Sequence, residues 1–264
     1  NNDHARDGQN RVLLRDEVIA SIQRINGVGE DVARAVYSDL LSQTDNEKWT
    51  QWLRGDYSRT VPGESTKQTI RLVDFLNTEN NSFVVTNQFY VKAEKSRIPD
   101  IVIYVNGIPL VVIEAKKPAG LKDKMVEAFD QIKLYEQDIP RLFHSNAFCM
   151  TSNGKDVLYG ATGSPSAFWG EWKDSYPRAN DSFSNEFEKG LWCLLEPSRL
   201  LDILAHFIVF EREESKVIKK ICRYQQFRAA NKMVDRVAEG KHRRGLIWHT
   251  QGSGKSLTMV FTAL

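Results

Sequence analysis

The amino-terminal part of the chain carries apolar residues at helical spacing. They recur every three or four positions in residues 12–25, and the pattern repeats in residues 28–41 after the turn-forming pair Asn26-Gly27. A third stretch of this kind, TIRLVDFLN, follows a polar loop at residues 54–67. The pattern predicts two amphipathic helices at the start of the chain and a third helix at residues 69–77.

The period then changes to that of β-strands. Residues 82–92 and 98–116 are rich in Val, Ile, Tyr and Phe, and the pair Asn106-Gly107 divides the second run, which predicts a β-hairpin. Residues 122–137 return to a helical pattern, and residues 147–151 form a short apolar run before a turn. The predicted order of helices, three strands, a helix and a strand indicates a mixed α/β domain.

The second half of the chain is less regular. Residues 160–185 are rich in Gly, Ser, Trp and Pro, which predicts an irregular surface segment. Residues 212–244 carry eleven Lys or Arg against four Asp or Glu and are predicted to be helical, either as an ordinary solvated face or as a basic surface. Residues 245–249 predict a strand, and the apolar run that follows TQGSGKS predicts a final helix.

Composition is that of a globular protein, with 41% hydrophobic and 27% charged residues in 264. The net charge of +2 is too small to attract nucleic acid globally, so any such surface must be local. Three scattered cysteines give no disulfide or zinc pattern and favour a reducing compartment. Without a signal peptide or an apolar run of about 20 residues, we expect a soluble, cytoplasmic protein that does not bind membranes.

Two carboxylates and a lysine stand out in the predicted hairpin. Asp100 follows a proline, and Glu114-Ala115-Lys116 comes fourteen residues later at the end of an apolar run. Strand alternation puts Glu114 and Lys116 on one face. Two carboxylates about 5 Å apart repel by roughly 3 kcal/mol at an effective dielectric near 20, and a divalent cation reverses that sign. Mg²⁺ prefers such oxygen ligands, so Asp100 and Glu114 are candidate metal ligands.

The candidate chemistry is hydrolysis of a phosphodiester. A bound Mg²⁺ would activate a water, and Lys116 would orient or deprotonate that water or neutralise the phosphorane. The alternative is that Asp100 caps a strand while Glu114 and Lys116 form an ordinary ion pair. The two interpretations differ in register, because a strict two-residue turn at Asn106-Gly107 would place Asp100 opposite Ile113. A shared metal requires Asp100 opposite Glu114, as a β-bulge or a three-residue loop would give.

These residues resemble a known superfamily. A PD dipeptide, ExK fourteen residues later across a hairpin, and Gln131 and Tyr135 on one face of the next helix resemble the PD-(D/E)xK nucleases, in particular RecB-like members. The resemblance implies a nuclease-like mixed sheet flanked by helices. It also implies metal ligation by Asp100, Glu114 and the Ala115 carbonyl, a catalytic Lys116, and contact of Gln131 and Tyr135 with the DNA backbone or the catalytic shell.

A second motif lies near the end of the sequence. GSGKS between a predicted strand and a predicted helix is the arrangement of a phosphate-binding loop, although His249 stands where the strict motif has Gly. Its backbone N–H groups would face the phosphates of ATP, Lys255 would reach the β and γ oxygens, and Ser256 would ligate the nucleotide's Mg²⁺. The predicted ATP-binding residues of the loop are Gly252, Ser253, Gly254, Lys255 and Ser256.

Both motif sets together resemble the restriction (HsdR) subunit of type I restriction-modification enzymes. The text at residues 81–88, TSNG at 151–154 and RYQQFRAANK before IWHTQGSGKSLTM carry the resemblance. It implies that Tyr224 and Gln226, with Gln225 as second choice, recognise adenine. It further implies ATP-driven translocation of double-stranded DNA by a superfamily 2 helicase motor, and assembly with methylation (HsdM) and specificity (HsdS) subunits.

The resemblance also predicts three regions. They are an endonuclease domain at residues 1–195, a helical connector at 196–244 and the beginning of a RecA-like motor domain at 245–264. Because no Walker B acid follows Leu264, we expect the chain as given not to hydrolyse ATP. Two alternatives stay open: a nuclease attached to another motor, as in type III or single-chain restriction enzymes and RecB-like repair nucleases, or a catalytically inactive nuclease-like DNA-binding module.

Overall fold

The computed structural model of the chain describes residues 6–117, 121–214, 216–241 and 244–264. Its helices in chain order are α1 (Arg15–Asn26), α2 (Glu30–Ser42), α3 (Asn46–Gln51), α4 (Leu121–Asp138), α5 (Glu186–Leu195), α6 (Pro197–His206), α7 (Tyr224–Glu239) and α8 (Lys255–Ala263). Its strands are β1 (Ser58–Thr60), β2 (Lys67–Thr69), β3 (Phe83–Asn87), β4 (Ile101–Val105), β5 (Ile108–Ala115), β6 (Phe148–Ser152), β7 (Val157–Gly160), β8 (Ile208–Glu213) and β9 (Lys216–Ile221).

A five-stranded mixed sheet forms the centre of the fold. Its strand order is β3-β4-β5-β6-β7, in which β5 and β6 are parallel and the other neighbours are antiparallel. Helix α4 connects the two parallel strands, as a parallel pair requires. The pairs β1-β2 and β8-β9 form two small separate sheets. The predicted mixed α/β class, with a nuclease-like sheet flanked by helices, is confirmed.

Both faces of the central sheet are covered. Ile103, Val111 and Ile113 point into a large core that includes residues of α1, α2 and α5 to α8. Val102 and Val112 point the other way, into a smaller core with Ile132 and Tyr135 of α4. We call this second side the α4 face. Because strands that are buried on two faces need apolar residues throughout, β4 and β5 read as continuous apolar runs.

The hairpin between β4 and β5 has a tight turn that also seats α1. Asn106 and Gly107 both have positive φ, 52° and 75°, as a two-residue hairpin turn requires. A side chain at Gly107 would lie 2.6 Å from the Leu14 carbonyl oxygen and 2.8 Å from the Val18 nitrogen. The Leu14 N–H donates to the Gly107 carbonyl at 2.9 Å. Only glycine therefore allows α1 to begin against this turn.

A β-bulge changes the register of this hairpin. Tyr104 pairs with Pro109 next to the turn, but Ile103 pairs with Val111, which leaves Leu110 as the extra residue. The shifted register continues to the pair Ile101 and Ile113. It places Asp100 opposite Glu114, so the parity that a shared metal requires is confirmed.

The third predicted helix, at residues 69–77, is wrong. The Asp74 carboxylate accepts hydrogen bonds from the backbone N–H groups of Leu76 and Asn77 at 3.1 and 3.0 Å. The Asn81 side chain accepts from the Asp74 N–H at 2.9 Å. Such local side-chain bonds compete with helical ones and hold this segment in turns. A short helix forms earlier instead, at α3, whose first turn is capped by the Asp45 carboxylate.

Two predictions in the second half are also wrong. Residues 212–213 and 216–221 are not helical, because they belong to β8 and β9, which pair as a hairpin. Among the described residues of the basic segment, only residues 224–239 form the helix α7. The described part of the connector at residues 196–244 is therefore helix, hairpin and helix. Residues 245–249 form no strand; within the described ranges no strand lies beside them, and Leu246 and Trp248 are 85% and 86% exposed.

The segment at residues 160–185 is irregular, as predicted, but two of its tryptophans are buried. Trp172 packs its ring 5.5 Å from Tyr159 of β7 and 5.3 Å from Phe227 of α7. Trp169 covers Gly160, where a side chain would lie 2.4 Å from the indole nitrogen. The segment thus joins the central sheet to α7 rather than lying wholly on the surface. Among the described helices, none has the length and apolar character needed to cross a membrane.

Candidate active site

The sheet brings the predicted carboxylates and lysine together at one end of β4 and β5. Asp100 directly precedes β4, Glu114 lies at the end of β5, and Lys116 follows it. Asp100 and Glu114 share the parity of Val102 and Val112, so both belong to the α4 face. The Lys116 N–H donates to the Ser152 carbonyl at 2.7 Å, which continues the pairing of β5 with β6 beyond the strand.

Glu114 is a buried carboxylate with a partner on each oxygen. Only 3% of the residue is exposed. Its Oε1 accepts a hydrogen bond from Lys116 Nζ at 2.6 Å, and its Oε2 lies 3.0 Å from the Tyr135 hydroxyl. That hydroxyl also lies 3.2 Å from the Ile98 carbonyl. The buried charge is therefore paired, as its burial requires.

The pKa of Glu114 is raised overall, although its neighbours act on it in opposite directions. Burial raises the pKa of Glu114, and the nearby charge of Asp100 raises it further, while the bonds from Lys116 and Tyr135 lower it. Burial and the charge of Glu114 also raise the pKa of Tyr135, so this residue stays a neutral donor. A cation placed between the two carboxylates would remove the repulsion that Asp100 exerts on Glu114.

Asp100 is also held on both oxygens. Its Oδ2 accepts from the Ala115 N–H at 2.9 Å, and its Oδ1 accepts from Gln88 Nε2 at 2.8 Å. Sequence reasoning did not include Gln88 in the site. The available signal was its place at the end of the family-like text at residues 81–88; it directly follows β3, the strand that pairs with β4.

Helix α4 contributes the predicted Gln131 and Tyr135. Tyr135 is 3% exposed and donates to Glu114, and Gln131 lies one turn earlier on α4, near enough to lower the pKa of Tyr135. Tyr135 thus belongs to the shell around the carboxylates, and Gln131 contacts it from one turn earlier. Contact of either residue with the DNA backbone stays a prediction.

The phosphate loop lies at the start of α8. Gly252 and Gly254 have φ of 77° and 78°, and α8 begins at Lys255, so the helix N-terminus faces the loop. Lys255 Nζ donates to the Thr250 carbonyl at 3.1 Å. The two glycines thus turn the chain into α8, the predicted preceding strand is absent from the described residues, and ATP binding by residues 252–256 stays a prediction.

Gln226 of α7 contacts the backbone of this loop. Its Nε2 donates to the carbonyls of Gly254 and Ser253 at 3.1 and 3.4 Å, and its Oε1 accepts from the Arg223 N–H at 2.8 Å. Tyr224 begins the same helix and is partly buried against the large core. The position of Gln226 beside the loop is therefore clear, whereas adenine recognition by Tyr224 and Gln226 stays a prediction.

Comparisons with known proteins identify the family. A family model described as "Type I restriction enzyme R protein N terminus" matches residues 1–168, more than half of the chain. The chain belongs to this family. A second model, "SWI2/SNF2 ATPase", matches residues 225–264 of this R protein N terminus.

Curated relatives agree with this assignment. The type I restriction enzyme HindI endonuclease subunit of Haemophilus influenzae is 34% identical over 90% of this chain and 24% of its own length. The putative type I restriction enzyme MjaIXP endonuclease subunit of Methanocaldococcus jannaschii is 28% identical over 98% of this chain and 28% of its own. The chain thus spans about a quarter of the length of these two relatives.

The donor set of this R protein N terminus fits a magnesium ion. Asp100 and Glu114 supply two opposed carboxylates, and Ala115 is the predicted source of a backbone carbonyl; such hard oxygen donors suit Mg²⁺. Among the described residues, each carboxylate oxygen accepts one hydrogen bond and keeps lone-pair capacity for a cation. Within the part of the chain that the structure describes, no cluster of three or more His, Cys, Asp or Glu forms a metal site. Water and substrate oxygens would therefore complete the coordination.

Proposed function

We propose that this R protein N terminus carries the Mg²⁺-dependent nuclease site of a type I restriction enzyme, which hydrolyses phosphodiester bonds of double-stranded DNA. The observation that carries the proposal is the pairing of Asp100 with Glu114 across β4 and β5, with Lys116 Nζ 2.6 Å from Glu114. Three features here lower the stability of the fold: a bulge, a buried carboxylate and two opposed negative charges at a strand end. A shared cation explains why all three are present.

Each residue then has a role that its contacts support. Asp100, Glu114 and the Ala115 carbonyl would hold the cation, which supplies an activated water and stabilises charge on the phosphorus. Lys116, whose side chain is 26% exposed, would turn from Glu114 toward the attacking water or the phosphorane. Tyr135 would keep Glu114 oriented, and Gln131 would orient Tyr135 or contact the DNA backbone.

The second site supports an ATP-dependent motor in the longer protein. Gly252 and Gly254 have positive φ directly before α8, as a glycine-rich phosphate loop allows, and the "SWI2/SNF2 ATPase" match covers residues 252–256. We propose that the whole subunit couples ATP hydrolysis to DNA translocation and cleavage. The relatives are named endonuclease subunits, which supports a multi-subunit complex in which methylation and specificity subunits supply sequence recognition.

The two chemistries occupy different places and can be tested separately. The carboxylates lie on the α4 face, whereas Phe261 of α8 packs 5.5 Å from Phe207 in the large core on the other side. Alanine at Asp100, Glu114 or Lys116 in the full-length complex should reduce DNA cleavage at least about a hundredfold, because the cation supplies several kcal/mol of charge stabilisation. ATP hydrolysis should continue in all three variants.

The matched controls are one surface carboxylate and the motor lysine. Glu30→Gln, which removes an exposed carboxylate from α2, should leave cleavage and ATP hydrolysis unchanged. Lys255→Ala should stop ATP hydrolysis together with cleavage that depends on translocation. Normal cleavage by Glu114→Ala would overturn the assignment, and a complex that binds DNA without cleaving it under any divalent cation would favour the non-enzymatic alternative.

A further inference from the structure

Gln88 has an unusual backbone conformation beside the proposed metal site. It directly follows β3, and its φ of 49° lies in the left-handed region. L side chains other than Asn and Asp rarely occupy this region, and glycine suits it best. Such strained positions often occur at functional sites, where the surrounding structure maintains them. The residue found at this glycine-like position instead has a long side chain that ends in an amide.

Backbone hydrogen bonds hold the segment around Gln88 in place, and the Gln88 side chain does not take part in them. The Gln88 N–H donates to the Asp100 carbonyl at 2.8 Å, and the Phe89 N–H donates to the Pro99 carbonyl at 3.0 Å. These two bonds join the end of β3 to the start of β4. A glycine at position 88 would make the same backbone bond with less strain, so the fastening of the chain does not explain a glutamine.

The side chain of Gln88 acts on Asp100. Its Nε2 donates to Asp100 Oδ1 at 2.8 Å, while the Ala115 N–H fixes the other oxygen at 2.9 Å. Among the described residues, Gln88 is the only side chain that forms a hydrogen bond with this carboxylate. The Ala115 donor belongs to the backbone, so Gln88 supplies the side-chain contribution to the orientation of the carboxyl plane.

We infer that Gln88 is a positioning residue of the metal site, which orients the Asp100 carboxylate so that it shares a cation with Glu114. This inference rests on the proposed nuclease function. Outer partners that orient ligating carboxylates typically change metal affinity or activity by about 10- to 100-fold when they are removed. The exposure of Gln88 allows the amide to be replaced without opening a cavity in the core.

The test measures metal binding rather than activity alone. Mn²⁺ is titrated into the nucleotide-free full-length subunit, and free Mn²⁺ is followed by electron paramagnetic resonance. Gln88→Leu removes the amide, and Gln88→Gly removes it while relieving the left-handed strain. Both should weaken Mn²⁺ binding about tenfold, and the glycine variant should unfold at the same or a higher temperature than the wild type. Gln137→Leu, at an exposed glutamine of α4, is the matched control and should bind Mn²⁺ normally.

Glu114→Gln separates failure of this inference from failure of the proposed function. If Glu114→Gln binds Mn²⁺ as tightly as the wild type, the metal site itself is absent. If Glu114→Gln weakens binding but Gln88→Leu and Gln88→Gly do not, the metal site stands and the positioning role of Gln88 is refuted. A glycine variant that unfolds at a lower temperature would contradict the premise that the side chain is not needed for fastening.

Discussion

Lys219 provides a test of how the hairpin β8-β9 is attached to the part of the chain that carries the central sheet. This lysine is 7% exposed, and its Nζ donates to Asn46 Oδ1 at 2.8 Å and to the Asn146 carbonyl at 2.5 Å. Two donated bonds match the two protons of a neutral amine. The pKa of Lys219 is lowered from 10.5 to about 7, chiefly by burial; Cys149 opposes this shift and the charge of Arg54 adds to it.

The lowered pKa makes stability depend on pH in a defined direction. Between pH 7 and 10.5 the unfolded chain holds a proton on Lys219 that the folded chain has released. The free energy of unfolding therefore rises with pH in this window, by up to about 1.4 kcal/mol per pH unit. Below pH 7 both states are protonated and the contribution is constant at its lowest value. The full change across the window is about 5 kcal/mol.

The assay compares the wild type with Lys219→Met. Urea unfolding at pH 7, 8, 9 and 10, followed by circular dichroism, gives the free energy of unfolding of each protein. All other groups titrate in both proteins alike. The free energy of unfolding of the wild type minus that of Lys219→Met should therefore increase by about 4 kcal/mol from pH 7 to 10. Lys216→Met, at an exposed lysine of the same hairpin, should follow the wild type. A constant difference between wild type and Lys219→Met would refute the lowered pKa and the neutral buried amine.

Two further predictions concern stability. Gly107→Ala should lower the free energy of unfolding by about 3 kcal/mol, because the new methyl group meets the Leu14 carbonyl and the backbone has positive φ. The control is Gly63→Ala, whose left-handed position has open space around it and which should lower the free energy of unfolding by only about 1 kcal/mol. Equal losses for the two variants in denaturant unfolding would contradict the close approach at Gly107. Thr151→Val should raise the free energy of unfolding by about 1 kcal/mol, because the Thr151 hydroxyl is buried with no hydrogen-bond partner among the described residues; a destabilised variant would show that the hydroxyl has a partner.

The sequence predicts those parts of the fold in which local periodicity and burial agree. Helices α1, α2 and α4 each bury one apolar stripe, and β4 and β5 are apolar throughout because both of their faces are covered. The Asn106-Gly107 pair correctly locates the hairpin. The bulge at Leu110 was one of two options, since the choice depends on how β5 pairs with β4 and not on either strand alone.

The sequence pattern failed where specific side-chain contacts decide the structure. The segment around Asp74 has a helical pattern, but its bonds to Asn81 and to the following N–H groups prevail. The basic run that suggested a helix contains β9, where Lys219 is buried against α3 while Lys216 and Val217 are exposed. The apolar pattern could not distinguish these cases, because side-chain bonds within the segment decide the first and a contact between residues far apart in the chain decides the second.

In the candidate site, too, some residues could be predicted from the sequence and others could not. Asp100, Glu114, Lys116 and Tyr135 could be chosen from the sequence by their motif spacing along a hairpin and a helix. The face that Asp100 shares with Glu114 was decided by the bulge, which spacing alone did not fix. Gln88 could not, because its amide reaches Asp100 only through the pairing of β3 with β4. Motif spacing thus finds residues on the strand and helix that carry the motif, but not the neighbours that hold them.

DNA cleavage by the full-length complex with Glu114→Gln tests the central claim most directly. This substitution keeps the size of the side chain and a partner for Tyr135, but removes the charge that would hold the cation. Plasmid cleavage and ATP hydrolysis are measured in the same reaction, with Mg²⁺ and ATP present. We predict that the variant hydrolyses ATP at the wild-type rate while its cleavage falls at least about a hundredfold. Cleavage by Glu114→Gln at the wild-type rate would contradict the account.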